Sequence, residues 1–536
     1  MFSKEKTDDR FDPSGHNGSI DIEVGPHEDA SGPHDSSKAL KRGLKSRHVG
    51  MFSIAGAIGT GLIIGSGTAL SQGGPGSMFI AYCFVGMLVL NIMSALGEMA
   101  VYMPMDQGFG GYATRLVDPA FGFATGMNYF LKYVVLLANN LTASGIIMQY
   151  WLPDINVAVW VVSFAVPIIL INFAPVKYFG EVEFGAACIK TVTIVGLMIL
   201  CLVIDLGGSP QGRIGFRYWN NPGAFKEFLV EGSTGRFLGF WASVTNAAFA
   251  YMGSEMVGMT FGEASKPWRT IPKAINATFW RISFFYIGGV FCLGLVVSSS
   301  SDHLINATKA STGAGASPFV VAIVDSGITV LPHIINGCLL VFVLSAANTD
   351  IYIASRTMYG LSKDGYIPSV FKITKNSIPV FSVGLSAAFF LLALLNVSSG
   401  STVVFSYLVS LSTILGLLNW VSILVSYLFF QQGMKAQGIN RSVLPYSGKF
   451  QRPRAFITLF FTGLIIITNG FDAFIHKFNA KDFVVSYIGI VIYVFLIISY
   501  KLIRRTKFVG FNTMDITTGV VTKEHVQQIE RENSDD

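Results

Sequence analysis

Twelve apolar segments, each close to the length needed to cross a lipid bilayer, recur along this chain. A hydrocarbon core of about 30 Å takes about 20 apolar residues in helical form. Because a backbone in lipid must pair its own polar groups, segments of this length favour helices. We therefore predict an all-α polytopic membrane protein with about 12 transmembrane helices. The segments lie near residues 50–72, 77–103, 119–150, 157–174, 184–206, 236–259, 278–300, 331–361, 380–397, 401–430, 455–471 and 482–503.

The composition agrees with this class. Apolar residues make up 51% of the chain, charged residues make up 13%, and the mean hydropathy is +0.53. Basic residues lie beside the apolar segments, so we interpret the net charge of +6 as a topology signal and expect no nucleic-acid partner. The five cysteines have no metal-ligand or disulfide spacing, and we expect no bound metal.

The two ends of the chain are polar. Residues 1–43 are too poor in apolar side chains to build a core, and we expect a disordered cytosolic tail. A basic cluster at residues 41–48 precedes the first apolar segment, which by the positive-inside rule keeps the N-terminus in the cytosol. An even number of crossings then returns residues 508–536 to the cytosol as a second tail.

Four glycosylation sequons test this topology. Asn306 and Asn396 should face outward, whereas Asn276 and Asn440 should face the cytosol. Modification of Asn440 without modification of Asn306 would mean that the topology is inverted.

A dense run of glycines between Gly56 and Gly67 interrupts the first apolar segment. Glycine lets a helix open where protein or water covers its backbone, and an unwound transmembrane helix can form a substrate site. Gly61 and Gly65 also have the Gly-x-x-x-Gly spacing that lets two membrane helices touch. Taken alone, the stretch therefore indicates either a ligand site or close helix packing.

A second interruption, in the sixth apolar segment, favours the ligand site. If five segments are followed by five more that repeat them, the second group enters the membrane from the opposite side, and the sixth segment corresponds to the first. We predict a 5+5 inverted repeat in which helices 1 and 6 are broken. The second interruption consists of Phe249, Ala250, Tyr251, Met252, Gly253, Ser254 and Glu255.

Two broken helices suit a zwitterionic ligand. The partial positive charge at a half-helix N-terminus would bind an α-carboxylate, and bare carbonyl groups at a half-helix C-terminus would bind an α-ammonium group. We expect Tyr251 or Met252 to line the side-chain pocket. The amides around Gly59, Thr60 and Gly61 would bind the carboxylate, and the ammonium is expected at carbonyl groups of residues 249–252 and about 54–57. The predicted substrate-binding residues of the first segment are Ala57, Ile58, Gly59, Thr60 and Gly61.

Ionisable residues inside the apolar segments are costly and therefore informative. Glu98, Lys132, Lys190, Glu255 and Asp350 are the ones of interest, and buried ion pairs are the alternative to a functional role. Lys190 lies within an otherwise apolar helix, where a lysine can load and release a proton. We predict that Lys190, with Glu255 as a second candidate, couples proton movement to transport in place of a cofactor or a bound sodium ion.

The chain shows no enzymatic motif. It has no phosphate-binding Gly-x-x-x-x-Gly-Lys-Ser/Thr loop, no histidines at metal-ligand spacing, and no nucleophile elbow in a strand-turn-helix context. We therefore expect no catalytic residues and predict a secondary transporter rather than an enzyme.

Several motifs, in order along the chain, resemble those of the fungal amino acid permeases of the amino acid/polyamine/organocation superfamily. The resemblance implies a LeuT-like fold across residues 44–507, proton-coupled symport of amino acids, and a plasma-membrane location. In some members a lysine at the position of Lys190 is thought to replace sodium. The motifs include Leu44-Lys45-Ser46-Arg47-His48, Gly59-Thr60-Gly61, Gly97-Glu98-Met99, Val117-Asp118-Pro119-Ala120-Phe121-Gly122-Phe123, Phe179-Gly180-Glu181-Val182-Glu183-Phe184, Ile271-Pro272-Lys273-Ala274-Ile275 and Ser317-Pro318-Phe319-Val320.

Three further stretches look most like the dicarboxylic amino acid permeases, a subgroup that also has a lysine where Lys132 stands. The resemblance implies import of glutamate or aspartate, with Lys132 binding the side-chain carboxylate. Lys132 paired with Glu255 is the alternative, and departures from the subgroup pattern at residues 137–138 and 263–269 leave a neutral amino acid or proline permease open. The stretches are Ala347-Asn348-Thr349-Asp350-Ile351-Tyr352-Ile353-Ala354-Ser355-Arg356, Asn396-Val397-Ser398-Ser399-Gly400-Ser401 and Lys435-Ala436-Gln437-Gly438-Ile439.

Two other functions fit the same sequence. An amino acid sensor would signal through its tails, which are short here, and an exchanger would keep the fold without net proton-driven uptake. The surroundings are membrane lipids, and Lys4 or Lys6 of the N-terminal tail could accept ubiquitin from the trafficking machinery.

Overall fold

The computed structural model describes residues 59–105, 108–263, 266–309, 317–397, 401–475 and 477–532. Within these ranges the chain is helical, with one isolated β-bridge between Lys375 and Ile378, which confirms the predicted all-α class. The α-helices are α1 (Ser66–Tyr102), α2 (Gly108–Leu116), α3 (Pro119–Met148), α4 (Val157–Asn172), α5 (Val176–Asp205), α6 (Gly232–Ala250), α7 (Pro267–Arg281), α8 (Gly289–Val296), α9 (Asp302–Lys309), α10 (Pro318–Asp325), α11 (Leu331–Lys363), α12 (Val380–Ala388), α13 (Ser401–Ala436), α14 (Gln451–Thr468), α15 (Ala480–Arg504) and α16 (Lys523–Glu532).

Each predicted apolar segment has a helical counterpart. A short π-helix, Gly61–Gly65, leads into α1, which holds the last residues of the first segment and nearly all of the second and bends between the two at Gly74, just before Pro75. Helices α3 to α6 match the next four, and α7 and α8, joined by the π-helix Ile282–Gly288, form the seventh. Helices α11 to α15 match the rest. Within the described ranges, seven helical stretches are long and apolar enough to cross a membrane by themselves.

The helices that lie outside the apolar segments are short. Helices α2, α9, α10 and α16 have 9, 8, 8 and 10 residues, which is too few to cross a bilayer. A reading based on membrane-length segments therefore did not predict them.

The predicted interruption of the sixth segment is present. Helix α6 ends at Ala250, residues 251–253 form a turn, and the 3-10 helix Ser254–Glu263 follows. Gly253 has φ of 89°, a conformation that favours glycine because it has no Cβ atom. The turn creates a helix C-terminus in the middle of the segment.

The interior is built around α3, which packs along both α11 and α13, while α1 packs along α6. Much of α3 is buried, whereas α15 at the periphery is mostly exposed, as expected for a helix that faces lipid. Asn140 of α3 and Asp350 of α11 therefore meet in the interior of the bundle.

The C-terminal segment packs against one end of the bundle. The Val509 N–H donates to the Val117 carbonyl (2.9 Å), the Val521 N–H donates to the Tyr102 carbonyl (2.8 Å), and Ile516 is fully buried. Arg115 also donates to main-chain carbonyl groups of this segment. Residues 509–521 thus contact the ends of α1 and α2, and the domain limits at residues 43 and 507 stay predictions.

Asp118 joins two elements at the same end. It caps α3 by accepting from the Ala120 N–H (2.7 Å), and it also accepts from Lys501 on α15 and from the Thr506 hydroxyl (2.7 Å). Burial disfavours the charge, but these hydrogen bonds together hold the pKa of Asp118 below its ordinary value.

Candidate functional site

A central cavity of about 50 Å³ lies where α6 ends, between that helix, α3 and α11. Seven of the predicted site residues line it: Gly59, Thr60, Gly61, Phe249, Ala250, Met252 and Gly253. The other lining residues are Tyr133, Leu136, Asn140, Met256, Ala346, Thr349 and Asp350. The predicted residues Ala57 and Ile58 lie outside the described residues.

The open end of α6 presents carbonyl groups to this cavity. The Tyr251 N–H donates to the Ala247 carbonyl (3.0 Å), and the Met252 N–H donates to the Phe249 carbonyl (3.0 Å). In the part of the chain that the structure describes, the carbonyl groups of Ala248 and Ala250 receive no backbone donor. The end of α6 therefore carries the partial negative charge that suits a cationic group.

The glycines of the first segment divide between packing and the cavity. A Cβ atom added at Gly61 would lie 2.4 Å from the Cα of Ala250, so this glycine permits the close approach of the first segment to α6. A Cβ atom added at Gly59 would lie 3.9 Å from its nearest neighbour, Ala346. The break before Gly59 involves residues outside the described ranges and stays a prediction.

A chain of hydrogen bonds crosses the cavity wall. The Thr60 hydroxyl donates to Oδ1 of Asn140 (3.2 Å), and Nδ2 of Asn140 donates to Oδ2 of Asp350 (2.8 Å). These contacts fix the amide of Asn140 and connect the first segment, α3 and α11.

Asn140, Thr349 and Asp350 were not predicted to line the cavity. Tyr133, Leu136 and Asn140 are spaced by three and four residues along α3, which is the spacing of one helix face. That pattern was visible in the sequence, but nothing local showed which face of α3 turns toward α6.

Lys132 lies behind the wall, one position from Tyr133. It is fully buried and forms an ion pair with Glu255, which also accepts from Nε1 of Trp420 on α13 (3.2 Å). The Lys132 Nζ atom lies 4.8 Å from the ring centre of Tyr133. Neither Lys132 nor Glu255 is among the lining residues, and in this conformation the Lys132–Glu255 pair ties α3 to the segment after α6.

Lys190 is on α5, also away from the cavity wall, and 1% of it is exposed. The negative charges that act on it are those of Glu183 and Asp350. Glu183 accepts from Ser345 (2.7 Å) and from Asn348 (3.0 Å), both on α11. Lys190 thus lies close to the polar face of the helix that carries Asp350.

Two other predicted residues also lie elsewhere. The Tyr251 hydroxyl donates to the Tyr82 carbonyl (3.0 Å), and its ring stacks on Tyr286 with 4.6 Å between ring centres. Ser254 is buried one turn further on and does not line the cavity. Among the two residues predicted for the side-chain pocket, Met252 lines the cavity and Tyr251 packs between helices.

A larger cavity of about 430 Å³, the vestibule, lies beside the central one. Its wall includes residues of the first segment, α6 and α13, together with Asn469 and Asp472 after α14. Phe249 lines both cavities, so its side chain stands between them. Asn469 and Asp472 precede α15 and the C-terminal segment follows it, so the vestibule opens at the end opposite that segment.

The described residues contain no group of three or more His, Cys, Asp or Glu side chains that could hold a metal ion.

Comparisons with known proteins identify the chain's relatives. A chain similar to this one, an uncharacterized amino-acid permease of Schizosaccharomyces pombe, is 50% identical over 485 residues, which is 90% of this chain and 93% of that protein. The dicarboxylic amino acid permease of Saccharomyces cerevisiae is 45% identical over 90% of this chain and 81% of its own length. A probable proline-specific permease of S. pombe is 41% identical over 88% of this chain and 87% of its own length.

The fold also has a solved counterpart. A crystal structure of the Eremococcus coleocola manganese transporter superposes with a TM-score of 0.53 at 12% identity, covering 88% of this chain and 98% of that one. This similarity supports the LeuT-like fold and, at such low identity, nothing finer. The sequence model described as "Amino acid permease" matches residues 48–512. The chain therefore belongs to the amino acid permease family, whose members are membrane transporters and not enzymes.

Proposed function

We propose that this protein is a proton-coupled symporter that imports amino acids across the plasma membrane and binds them in the central cavity. The open C-terminal end of α6 is the observation that carries the proposal: Ala250 lines the cavity, and its carbonyl group receives no backbone donor from the described residues. A site made of main-chain groups binds the part that all amino acids share.

In this site the α-carboxylate binds main-chain amides around Gly59, Thr60 and Gly61, and the α-ammonium faces the end of α6 and the carbonyl groups of about residues 54–57. A cavity of about 50 Å³ has room for one or two water molecules, each of which takes about 30 Å³ in the liquid. Substrate entry therefore requires an outward movement of the wall, and Phe249, between the two cavities, is the side chain that has to move.

Uptake by the purified full chain in proteoliposomes tests the function. We expect labelled amino acid to accumulate when an inward proton gradient is imposed, and accumulation to collapse when a protonophore is added. Uptake that persists unchanged with the protonophore would identify an exchanger. Binding without any uptake, by the full chain and by a tail-less chain, would favour an amino acid sensor.

Lys190 is the proposed coupling residue, with Glu255 as a second candidate. Its burial and its position beside Glu183 and Asp350 support this role. We expect Lys190→Met to abolish pH-driven accumulation while some exchange remains. Lys177→Met, an exposed lysine at the start of the same helix, is the matched control. Unaltered proton-coupled uptake by Lys190→Met would remove Lys190 from the mechanism.

Acidic amino acids are the first candidate substrates. The dicarboxylic amino acid permease at 45% identity supports this choice. Because Lys132 is paired with Glu255, the side-chain carboxylate of glutamate or aspartate would take the place of Glu255 beside Lys132. Competition of labelled glutamate uptake by a panel of amino acids, in wild type and in Lys132→Gln, tests this assignment, and the exposed Lys363→Gln is the control.

Neutral amino acids, including proline, are the second candidate. The described residues that line the cavity include one carboxylate, that of Asp350, and no Lys, Arg or His. The carboxylate of an acidic substrate side chain in such a cavity would have no cation to pair with, whereas an uncharged substrate side chain would need none. Proline or leucine competing better than glutamate would select this class over the first.

We also propose that both termini lie in the cytosol and that the N-terminal tail is a substrate of the ubiquitination machinery. The vestibule then faces outward, and the C-terminal segment faces the cytosol. Lys4 and Lys6 are proposed ubiquitin acceptors, and a Lys4→Arg, Lys6→Arg variant should stay at the cell surface longer than wild type. Equal surface half-lives would remove both lysines from that role.

A further inference from the structure

Asp350 differs from three other buried carboxylates of the bundle, Glu98, Glu183 and Glu255, because it lines the cavity and has a single hydrogen-bond donor among the described residues; Lys132 and Lys190 act on it only through their charges, without an ion pair. Glu98 is paired with Arg441, and Glu255 is paired with Lys132. Glu183 accepts hydrogen bonds on both oxygens. Within the described ranges Asp350 has one hydrogen-bond donor, Nδ2 of Asn140, and no ion pair.

The surroundings of Asp350 favour the binding of a cationic group to its carboxylate. An ionised carboxylate in a membrane interior is costly unless a cation pairs with it. Asn140 is held by Thr60 and points its amide at Oδ2, which leaves Oδ1 without a donor among the described residues. Asp350 is 95% buried, so the cavity is where a partner would come from.

The end of α6 completes this side of the cavity. Ala250, whose carbonyl group receives no backbone donor in the described part of the chain, lines the same cavity as Asp350. A carboxylate and a helix C-terminus both attract positive charge, and a primary or secondary ammonium group can donate to both.

We propose that Asp350, oriented by Asn140, binds the α-ammonium group of the substrate. The inference rests on the proposed function and deepens it, because it adds a side-chain contact to a site otherwise made of main-chain groups. The ammonium group is common to all amino acids. Removal of the Asp350 carboxylate should therefore weaken the binding of every amino acid and leave the order of preference among side chains unchanged.

The test compares each amino acid with the α-hydroxy acid that replaces its ammonium group by a hydroxyl. Three pairs cover the side-chain classes: L-glutamate with 2-hydroxyglutarate, L-alanine with L-lactate, and L-lysine with 6-amino-2-hydroxyhexanoate. Affinity is measured as ligand-dependent thermal stabilisation of the purified full chain in detergent, which does not depend on transport. Proteoliposome uptake is measured in parallel.

In wild type we expect the amino acid of the best pair to bind about 10- to 150-fold more tightly than its hydroxy acid, the range for a hydrogen bond to a charged group. In Asp350→Asn this ratio should fall several-fold towards one, because only the carbonyl groups at the end of α6 then remain to bind the ammonium group. Asp364→Asn, an exposed aspartate that caps the same helix, should keep the wild-type ratio. If Asp350→Asn does not fold, Asn140→Ala carries the test and should lower the ratio because Asp350 loses its orienting donor.

The outcomes separate the two proposals. Uptake with an unchanged ratio in both Asp350→Asn and Asn140→Ala would overturn the ammonium site and leave the transport function standing. Stabilisation that needs both the ammonium group and Asp350, without any uptake, would support the site and remove the transport function. Equal binding of amino acid and hydroxy acid by wild type, or no stabilisation by any of the three amino acids, would also overturn the ammonium site.

Discussion

Replacing Gly61 by alanine tests whether the first segment and α6 must touch. The added methyl carbon would lie 2.4 Å from the Cα atom of Ala250, 3.0 Å from its main-chain nitrogen, and 3.1 Å from the carbonyl oxygen of Phe249. Ordinary contacts of a Cβ atom begin at 3.4 Å, so the two segments must separate by about 1 Å. Main-chain atoms cannot rotate away, so we expect a cost of about 1–3 kcal/mol in the free energy of unfolding.

The same displacement falls at the substrate site. The methyl group would push on the end of α6, where Ala250, whose carbonyl group receives no backbone donor among the described residues, lines the cavity. A shift of about 1 Å in a binding group can lower the rate about 100-fold. Gly61→Ala should therefore lower both the melting temperature and the kcat/KM of amino acid uptake.

Two other glycines separate these effects. Gly59→Ala would add a methyl group 3.9 Å from Ala346, an ordinary contact, at the cavity wall. We expect it to keep the melting temperature and to lower uptake by crowding the substrate. Gly185→Ala on α5, where the structure has nothing within 4 Å of the added atom, should leave uptake unchanged.

Thermal unfolding of the purified chain in detergent and uptake into proteoliposomes measure the two quantities. A Gly61→Ala protein with wild-type melting temperature and wild-type uptake would refute the close approach of the two segments. A Gly59→Ala protein that unfolds as early as Gly61→Ala would refute the division of the stretch into a packing glycine and a cavity glycine.

Three further predictions concern other parts of the molecule. Glu255→Gln should cost about 3–5 kcal/mol in thermal unfolding, because Lys132 would remain buried without its partner. The pKa of Asp118 is lowered in the folded state, so the stability it contributes is complete above its unfolded value near 3.9 and lost as the pH falls through the lower folded value. Thermal unfolding of Asp118→Asn should therefore depend less on pH below about 4 than that of wild type. Asn306, exposed on α9 beside the vestibule, should carry a glycan in a eukaryotic host, measured as a shift in electrophoretic mobility.

Each of these predictions has a control. The double variant Lys132→Met, Glu255→Gln should recover most of the stability lost in Glu255→Gln, and failure to recover it would mean that the two residues do not act as a pair. Equal acid sensitivity of Asp118→Asn and wild type would contradict the assignment to Asp118. For the glycan, Asn306→Gln is the control, while Asn396 is buried against Thr142 and should stay unmodified. Modification of Asn440 without modification of Asn306 would show that the predicted topology is inverted.

The helices of the apolar segments follow from local sequence, whereas the short helices α2, α9, α10 and α16 do not. An apolar run of about 20 residues has one way to satisfy its backbone in lipid, so its length alone predicts a helix. Gly253 likewise marks the interruption after α6, because few other residues adopt its backbone conformation. The spacing of the interruptions then indicated the repeat and, with it, the position of the cavity at Gly59–Gly61 and at the end of α6.

The partners of individual side chains depended on tertiary structure. From the sequence by itself, the partner of Lys132 could be either a substrate carboxylate or Glu255. The packing of α3 against the segment after α6 brings Glu255 into contact with Lys132. Packing likewise turns Tyr251 toward Tyr82 and Tyr286 and brings Asn140 to Asp350. Periodicity shows which residues share a helix face, but the rotation of each helix about its axis is decided by its neighbours. Only the assembled bundle therefore assigned Asp350 to the cavity and Lys132 to the layer behind it.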